Sequence, residues 1–250
     1  MFQQSLDQLK RSLGIMKKDI RIYYLKGPVI IFGVLIPLFL FLAFLTGSRK
    51  LPIEFLVSGL ISMTILFTAT SVSPVIMPWE AQMNTLERLA SCPVSISTIL
   101  MGDMMASFIF GVGVTAVPVA VGLILGVAVS HPLVLALGII LAAVCFSFLG
   151  LLMSTPPTNV PSNVMMLSTM VKFSLVFISG IFIPIENMPY WGKIIASFSP
   201  LTYFTDITRY ALQGFHYYPL TFDFAVLALF TLLFFYVAVQ LHKRTLSKRI

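Results

Sequence analysis

Between Asp103 and Lys172 the chain carries no Asp, Glu, Lys or Arg. That charge-free window is too long for a single bilayer crossing, which takes about 20 apolar residues. In lipid every backbone N–H and C=O must be satisfied internally, so a window of this kind folds into several spanning helices and little else. Two clusters divide it, Ser130-His131-Pro132 and Thr155-Pro156-Pro157-Thr158-Asn159. Proline and its neighbours break helices at such points, so three helices share the window. The composition agrees: 58% of the 250 residues are hydrophobic and 10% charged, and the mean hydropathy is +0.98. A soluble domain carries about 25% charged residues.

Uncharged windows elsewhere bring the number of spans to six. The first lies near Pro28–Thr46, the second near Phe55–Met77, the third begins near Asp103, the fifth runs near Pro161–Ile183 and the sixth near Phe224–Leu241. This predicts an all-α integral membrane protein with one domain over residues 1–250: a cytoplasmic helix (1–27), a six-span bundle (28–241) and a basic tail (242–250). The first apolar run is longer than the roughly 7–15 residues of a signal-peptide core, so it is expected to remain in the mature protein.

The net charge is +7, and the cations cluster at the two ends of the chain. Lys10, Arg11, Lys17, Lys18, Arg21 and Lys26 precede the first span; Lys243, Arg244, Lys248 and Arg249 follow the last. Clusters beside apolar runs read as topology signals and not as a nucleic-acid surface, and they put both termini in the cytoplasm. An even number of spans follows. Arg49-Lys50, in the short loop between spans one and two, opposes this orientation but is the smaller cluster. Phe2, Leu6, Leu9, Leu13, Met16 and Ile20 recur at alternating spacings of four and three, the stripe of an amphipathic helix lying on the inner membrane surface.

Two polar segments stand out from the apolar pattern. Between spans two and three the chain reads PWEAQMNTLERLASCPVSISTILMGDM, and its Met83, Leu86 and Leu89 fall close to one face of a short helix. After span five, Ser179–Arg209 is broken by Pro184, Pro189 and Pro200 yet retains Trp191, Ile194, Ile195, Phe198, Leu201, Tyr203 and Phe204. It fits neither a span nor a water-soluble loop. A pair of short helices dipping back into the membrane is the economical reading, with Ser179-Gly180 as the bend and Trp191 and Tyr203 as interfacial anchors.

These two segments carry a resemblance to the permease subunits of ABC-2 type transporters. In the loop the matching residues are Glu80, Asn84-Thr85-Leu86-Glu87-Arg88-Leu89 and Cys92-Pro93-Val94-Ser95. Asn84 stands where the family usually has Gly, and Asn tolerates left-handed backbone. After span five they are Ser179-Gly180, Ile183-Pro184, Pro189 with Trp191, Pro200-Leu201-Thr202-Tyr203, and Asp206 with Arg209. The resemblance implies an export permease that works as a homodimer or heterodimer with a second permease copy, coupled to separate cytoplasmic ATP-binding subunits that bind ATP and Mg. It implies that Glu80, Thr85, Glu87 and Arg88 contact the ATPase, with Ser154–Ser162 as a weaker second contact, and that Ser179, Gly180, Pro184, Trp191, Pro200, Tyr203, Asp206 and Arg209 form an outer re-entrant motif. The short separate chain suits a prokaryotic cell membrane in that family.

The chain itself has no phosphate-cradling loop: its only Gly-Lys, Gly192-Lys193, has Asn187 where the first glycine belongs and is followed by Ile194. Apolar spans and short outer loops favour a hydrophobic drug or lipid as cargo, with polysaccharide or ion export as alternatives. An ion-driven secondary transporter is the rival class, but it calls for buried carboxylates, and the sequence places no acid mid-span. An intramembrane enzyme is disfavoured by the absence of paired intramembrane acids, a Ser–His constellation and the His-Glu-x-x-His and Gly-x-Ser-x-Gly motifs.

Of the remaining residues, Lys172 is the ninth residue of span five counted from Val164, about 13 Å along the axis, where an unpaired lysine costs at least about 2.5–3.5 kcal/mol. It therefore faces a translocation pathway, a dimer seam or a polar partner. Gly122 and Gly126 read as a helix-packing pair, and Asp206 and Arg209 as neighbours able to pair on one turn. Cys92, Cys145 and the isolated His131, His216 and His242 form no metal-ligand or disulfide pattern.

Overall fold

A computed structural model describes residues 2–47, 51–85, 88, 91, 94–158 and 160–245. Helix α1 (Phe2–Asp19) passes through one π-helical turn, Ile20–Tyr24, into α2 (Gly27–Gly47). The second span, Ile53–Gln82, is 30 residues long and is made of two helices, α3 (Ile53–Ala69) and α4 (Ser73–Gln82). Then come α5 (Ile96–Ile124), α6 (Pro132–Met153), α7 (Pro161–Ile178), the short α8 (Tyr190–Ser197), α9 (Pro200–Gln213) and α10 (Leu220–Thr245). Six runs are long and apolar enough to cross a membrane: α2, α3 with α4, α5, α6, α7 and α10. No strand occurs among the described residues.

The expected divisions of the charge-free window fall in the α5–α6 and α6–α7 connections, and Pro132 and Pro161 open the helices that follow. Proline is tolerated there because the first helical N–H has no partner to lose. Several boundaries move. Helix α5 starts seven residues before Asp103, where Ser95 accepts the amide of Thr98 at 3.2 Å as an N-cap. Asp103 is thus inside the third span and buried. Helix α7 stops at Ile178 and not Ile183, because Ser179 caps it and Gly180 takes φ +78°. Helix α10 starts before Asp223, which lies buried in its first turn. The second span gains a break near residues 70–72 that the apolar pattern does not reveal.

That second span is the axis of the bundle. Of its most apolar window 94% is buried, against 18% for α2, 22% for α7 and 17% for α10, so the last three offer their surfaces to lipid or to another chain. Leu60, Ile61, Ile65 and Leu66 meet Phe146 of α6 and Phe204 of α9 in one cluster. Small residues bring the helices close: a Cβ on Gly111 would sit 3.1 Å from that of Ala69, and one on Gly122 would sit 2.7 Å from Val57. Gly126 does not join Gly122 in packing. It lies beyond the helix end at φ +84° with open space around it, a C-terminal stop.

Helix α1 has the amphipathic character expected, but its packed face is another one. Leu9 and Leu13 of the apolar stripe point outward, while Ser12, Ile15 and Asp19 are buried against α5. The side chains of Phe2 and Leu6 lie outside the described residues. A Cβ on Gly102 of α5 would meet Ile15 at 2.7 Å and the Ser12 carbonyl at 2.9 Å, and Thr98 donates to Gln8 at 2.6 Å. Overpacking this contact with Gly102→Leu costs about 2 kcal/mol, so thiol labelling of a Ser12→Cys probe should rise by about tenfold or more. Unchanged labelling would mean that α1 is held elsewhere.

Candidate functional site

The two polar segments lie at opposite ends of the second span. At the far end, α3 starts beneath the Ser179–Arg209 segment: Gly59 packs on Ile181, and the Arg209 guanidinium sits 4.2 Å above the Phe55 ring. Gly180 makes the bend, and a Cβ there would fall 2.8 Å from Ile185. Pro184 leads into the turn Ile185–Asn187. The hydroxyls of Ser179 and Ser199 meet at 2.7 Å, closing the segment across twenty residues. Pro200 opens α9, Thr202 donates to the Ala196 carbonyl and Tyr203 to that of Ser197, each at 2.7 Å.

Asp206 and Arg209 do not pair with each other. The Asp206 carboxylate accepts the Tyr217 amide with both oxygens at 2.9 Å and the Tyr218 amide at 2.8 Å. Arg209 donates to the Gly180 carbonyl. Burial pulls the Arg209 guanidinium down to about 10, with Asp206 and Glu186 opposing the shift, so it stays cationic at neutral pH. Arg209 thereby ties the bend to α9 while Asp206 ties α9 to the connection leading into α10. Trp191 is exposed on α8 beside Tyr190. Tyr203 is not an anchor; it is 4% exposed and packs among Tyr218, Phe222 and Phe230, because α9 is enclosed on nearly every side.

At the other end of the span, Glu80 points inward. It is 3% exposed and bonds to the Lys18 ammonium, which also lies 3.0 Å from Asp19. Burial works against the charge on Lys18, but Asp19 and Glu80 outweigh it and hold the proton more tightly than water does. Glu80 therefore cannot be the contact surface the sequence suggested; it anchors the root of the loop to α1. Thr85 donates to the Glu80 carbonyl at 3.1 Å. Asn84 takes φ +53°, the left-handed geometry its exchange for Gly requires. Met83 is exposed, as is Arg88, whereas Leu86, Glu87, Leu89, Cys92 and Pro93 lie outside the described residues.

Three arrangements escaped the sequence. Asp19 and Asp103 bury their carboxyl groups side by side, so paired acids do exist, about 10 Å along the third span. Asp19 shares the packed face of α1 with Ser12 and Ile15, at i, i+3 and i+7, a mixed face that hydrophobic periodicity does not single out. A Ser–His contact also exists: His242 of α10 lies 2.9 Å from Ser154 Oγ, with its other ring nitrogen on the Ala238 carbonyl. It fastens the last span to the end of α6. Lys172 is buried and donates to the Thr70 carbonyl at 2.9 Å, so the partner that its depth demanded is a backbone oxygen. Among the described residues there is no cluster of three or more His, Cys, Asp or Glu able to hold a metal.

An all-α bundle with six membrane-length helices, a polar loop at one end of its buried second span and a Gly-Arg-Asp-tied segment at the other describes a polytopic membrane protein. Residues 13–213 match the family described as ABC-2 type transporter, and the chain belongs to that family. It is thus a multi-pass membrane permease of the ABC type, a transport subunit that is not itself catalytic. No curated protein matches the chain.

Proposed function

We propose that this chain forms half of the translocation pathway of an ATP-driven exporter, paired with a second permease copy and coupled to separate cytoplasmic subunits that bind ATP and Mg. The observation that carries this reading is the second span, a buried rod joined to the loop around Asn84 and Thr85 at one end and to the Gly180–Arg209 clamp at the other. A buried element in contact with both polar segments can carry motion from an ATPase to the opposite face. With both termini cytoplasmic, the Ser179–Arg209 segment is a re-entrant outer lid, and Thr85, Glu87 and Arg88 meet the ATPase while Glu80 sets the loop. The apolar, largely uncovered surfaces of α2, α7 and α10 favour a drug-like or lipid cargo entering from the bilayer, in a prokaryotic cell membrane.

Glu87→Arg combined with Arg88→Glu should leave the protein inserted but uncouple ATP hydrolysis from export. Cargo-stimulated hydrolysis at the level of the unaltered chain would sink the coupling assignment. Purification from native membranes tests the larger claim: a stoichiometric P-loop ATPase should accompany the chain, whereas proton-driven flux without one would mark a secondary transporter.

A further inference from the structure

The break in the second span has a covalent cause and an unusual repair. In a continuous α-helix residue 74 would donate its amide to the carbonyl of residue 70, but residue 74 is proline and has no N–H. Carbonyls around the break are taken by nearby hydroxyls: Thr70 Oγ1 donates to Leu66, Ser71 Oγ to Thr68 and Ser73 Oγ to Ala69. The Thr70 carbonyl is met instead by the Lys172 ammonium, from a residue 102 positions away on α7. No carboxylate lies within ion-pair distance of Lys172 among the described residues. A cation at the carbonyl end of α3 also meets the negative end of that helix. Beyond Lys172, α7 runs directly into the Ser179-Gly180 bend; beyond Pro74, α4 runs to Glu80 and the loop.

We propose that Lys172 is a positioning residue that pins a hinge at residues 70–73 of the second span and links the movement of α4 to the Ser179-Gly180 bend through α7. The pin rests on geometry alone; the transmission rests on the export function proposed above. Lysine is suited to the task because its flexible stem lets the ammonium follow the carbonyl as the two half-helices change angle, which a second backbone amide cannot do.

A double-mutant cycle separates the two halves. Lys172→Met strands the Thr70 carbonyl and should lower the Tm; Pro74→Ala supplies the missing amide, so Lys172→Met/Pro74→Ala should recover most of that loss. A double variant no more stable than Lys172→Met overturns the pin. For the hinge, spin labels on Met83→Cys and Trp191→Cys, both exposed in the native chain, report the distance between loop and lid in the complex with its ATPase. ATP with vanadate should shift that distance in the otherwise unaltered complex and should leave it fixed in the healed double variant. A full shift in the double variant overturns the hinge. No shift in the unaltered complex overturns the export reading and the hinge with it, while the Tm cycle still decides the pin.

Discussion

Replacing Asp206 by alanine is expected to lower the Tm of the purified protein by about 6–12 °C and to abolish transport. The carboxylate is 1% exposed and holds the amides of Tyr217 and Tyr218 at 2.8–2.9 Å. Each hydrogen bond to a charged group contributes about 1.5–3 kcal/mol, and the outer position of Tyr217 lets water recover part of the loss. A net loss of about 3 kcal/mol remains, which in a chain of this size corresponds to the stated shift. Asp206 also offsets the buried charge of Arg209, so its removal loosens the clamp on Gly180. Asp206→Asn keeps the shape but only one oxygen acceptor and should fall about midway. A shift below about 2 °C for alanine would show that α9 is held by its apolar contacts alone.

Gly150→Leu should leave almost no folded protein. A Cβ at this position would stand 2.0 Å from Ser73 Oγ and 3.5 Å from the Ala69 carbonyl, and all three residues are buried where α6 crosses the break in the second span. The short Ser73 side chain has little room to swing away, and the Ala69 backbone behind it leaves no space for the rest of a leucine, so α6 would have to move. The cost is about 4 kcal/mol or more, in the range reserved for gross core disruption. The monodisperse fraction extracted from membranes measures it. Gly150→Ala asks less, since the Ser73 hydroxyl is the main obstacle, with its Cβ at 3.2 Å behind it, and combining it with Ser73→Ala should recover part of the stability. If the double variant remains as unstable as Gly150→Ala alone, the close approach of α6 to α4 is not as described.

The tail of α5 and the loop at Asn84 illustrate what was legible in the sequence. Proline, glycine and asparagine act through their own backbone restrictions, so the divisions near residues 130–132 and 155–158 and the left-handed turn at Asn84 could be read without knowing any neighbour. Pro74, four residues after Thr70, lies within an apolar run whose length and hydropathy are those of one continuous span, so the break it causes shows only in the structure. The amphipathic pattern of α1 was legible, with Leu9 and Leu13 left on the outside as a stripe facing lipid would be; that Ser12, Ile15 and Asp19 pack against the protein was not, because the pattern names an apolar face without saying what covers the other one.

The chain order by itself determined six apolar crossings, a polar segment after the second and another after the fifth, and basic termini. Tertiary structure alone decided which partner each cation meets: Lys18 the Glu80 carboxylate across 62 residues, Lys172 the Thr70 carbonyl across 102, Arg209 the Gly180 carbonyl across 29. The physical reason is that lipid tails are as apolar as leucine. Hydrophobic periodicity therefore places a helix in the membrane without saying which face meets lipid and which meets protein, and the buried polar contacts that settle the matter join residues far apart in the chain.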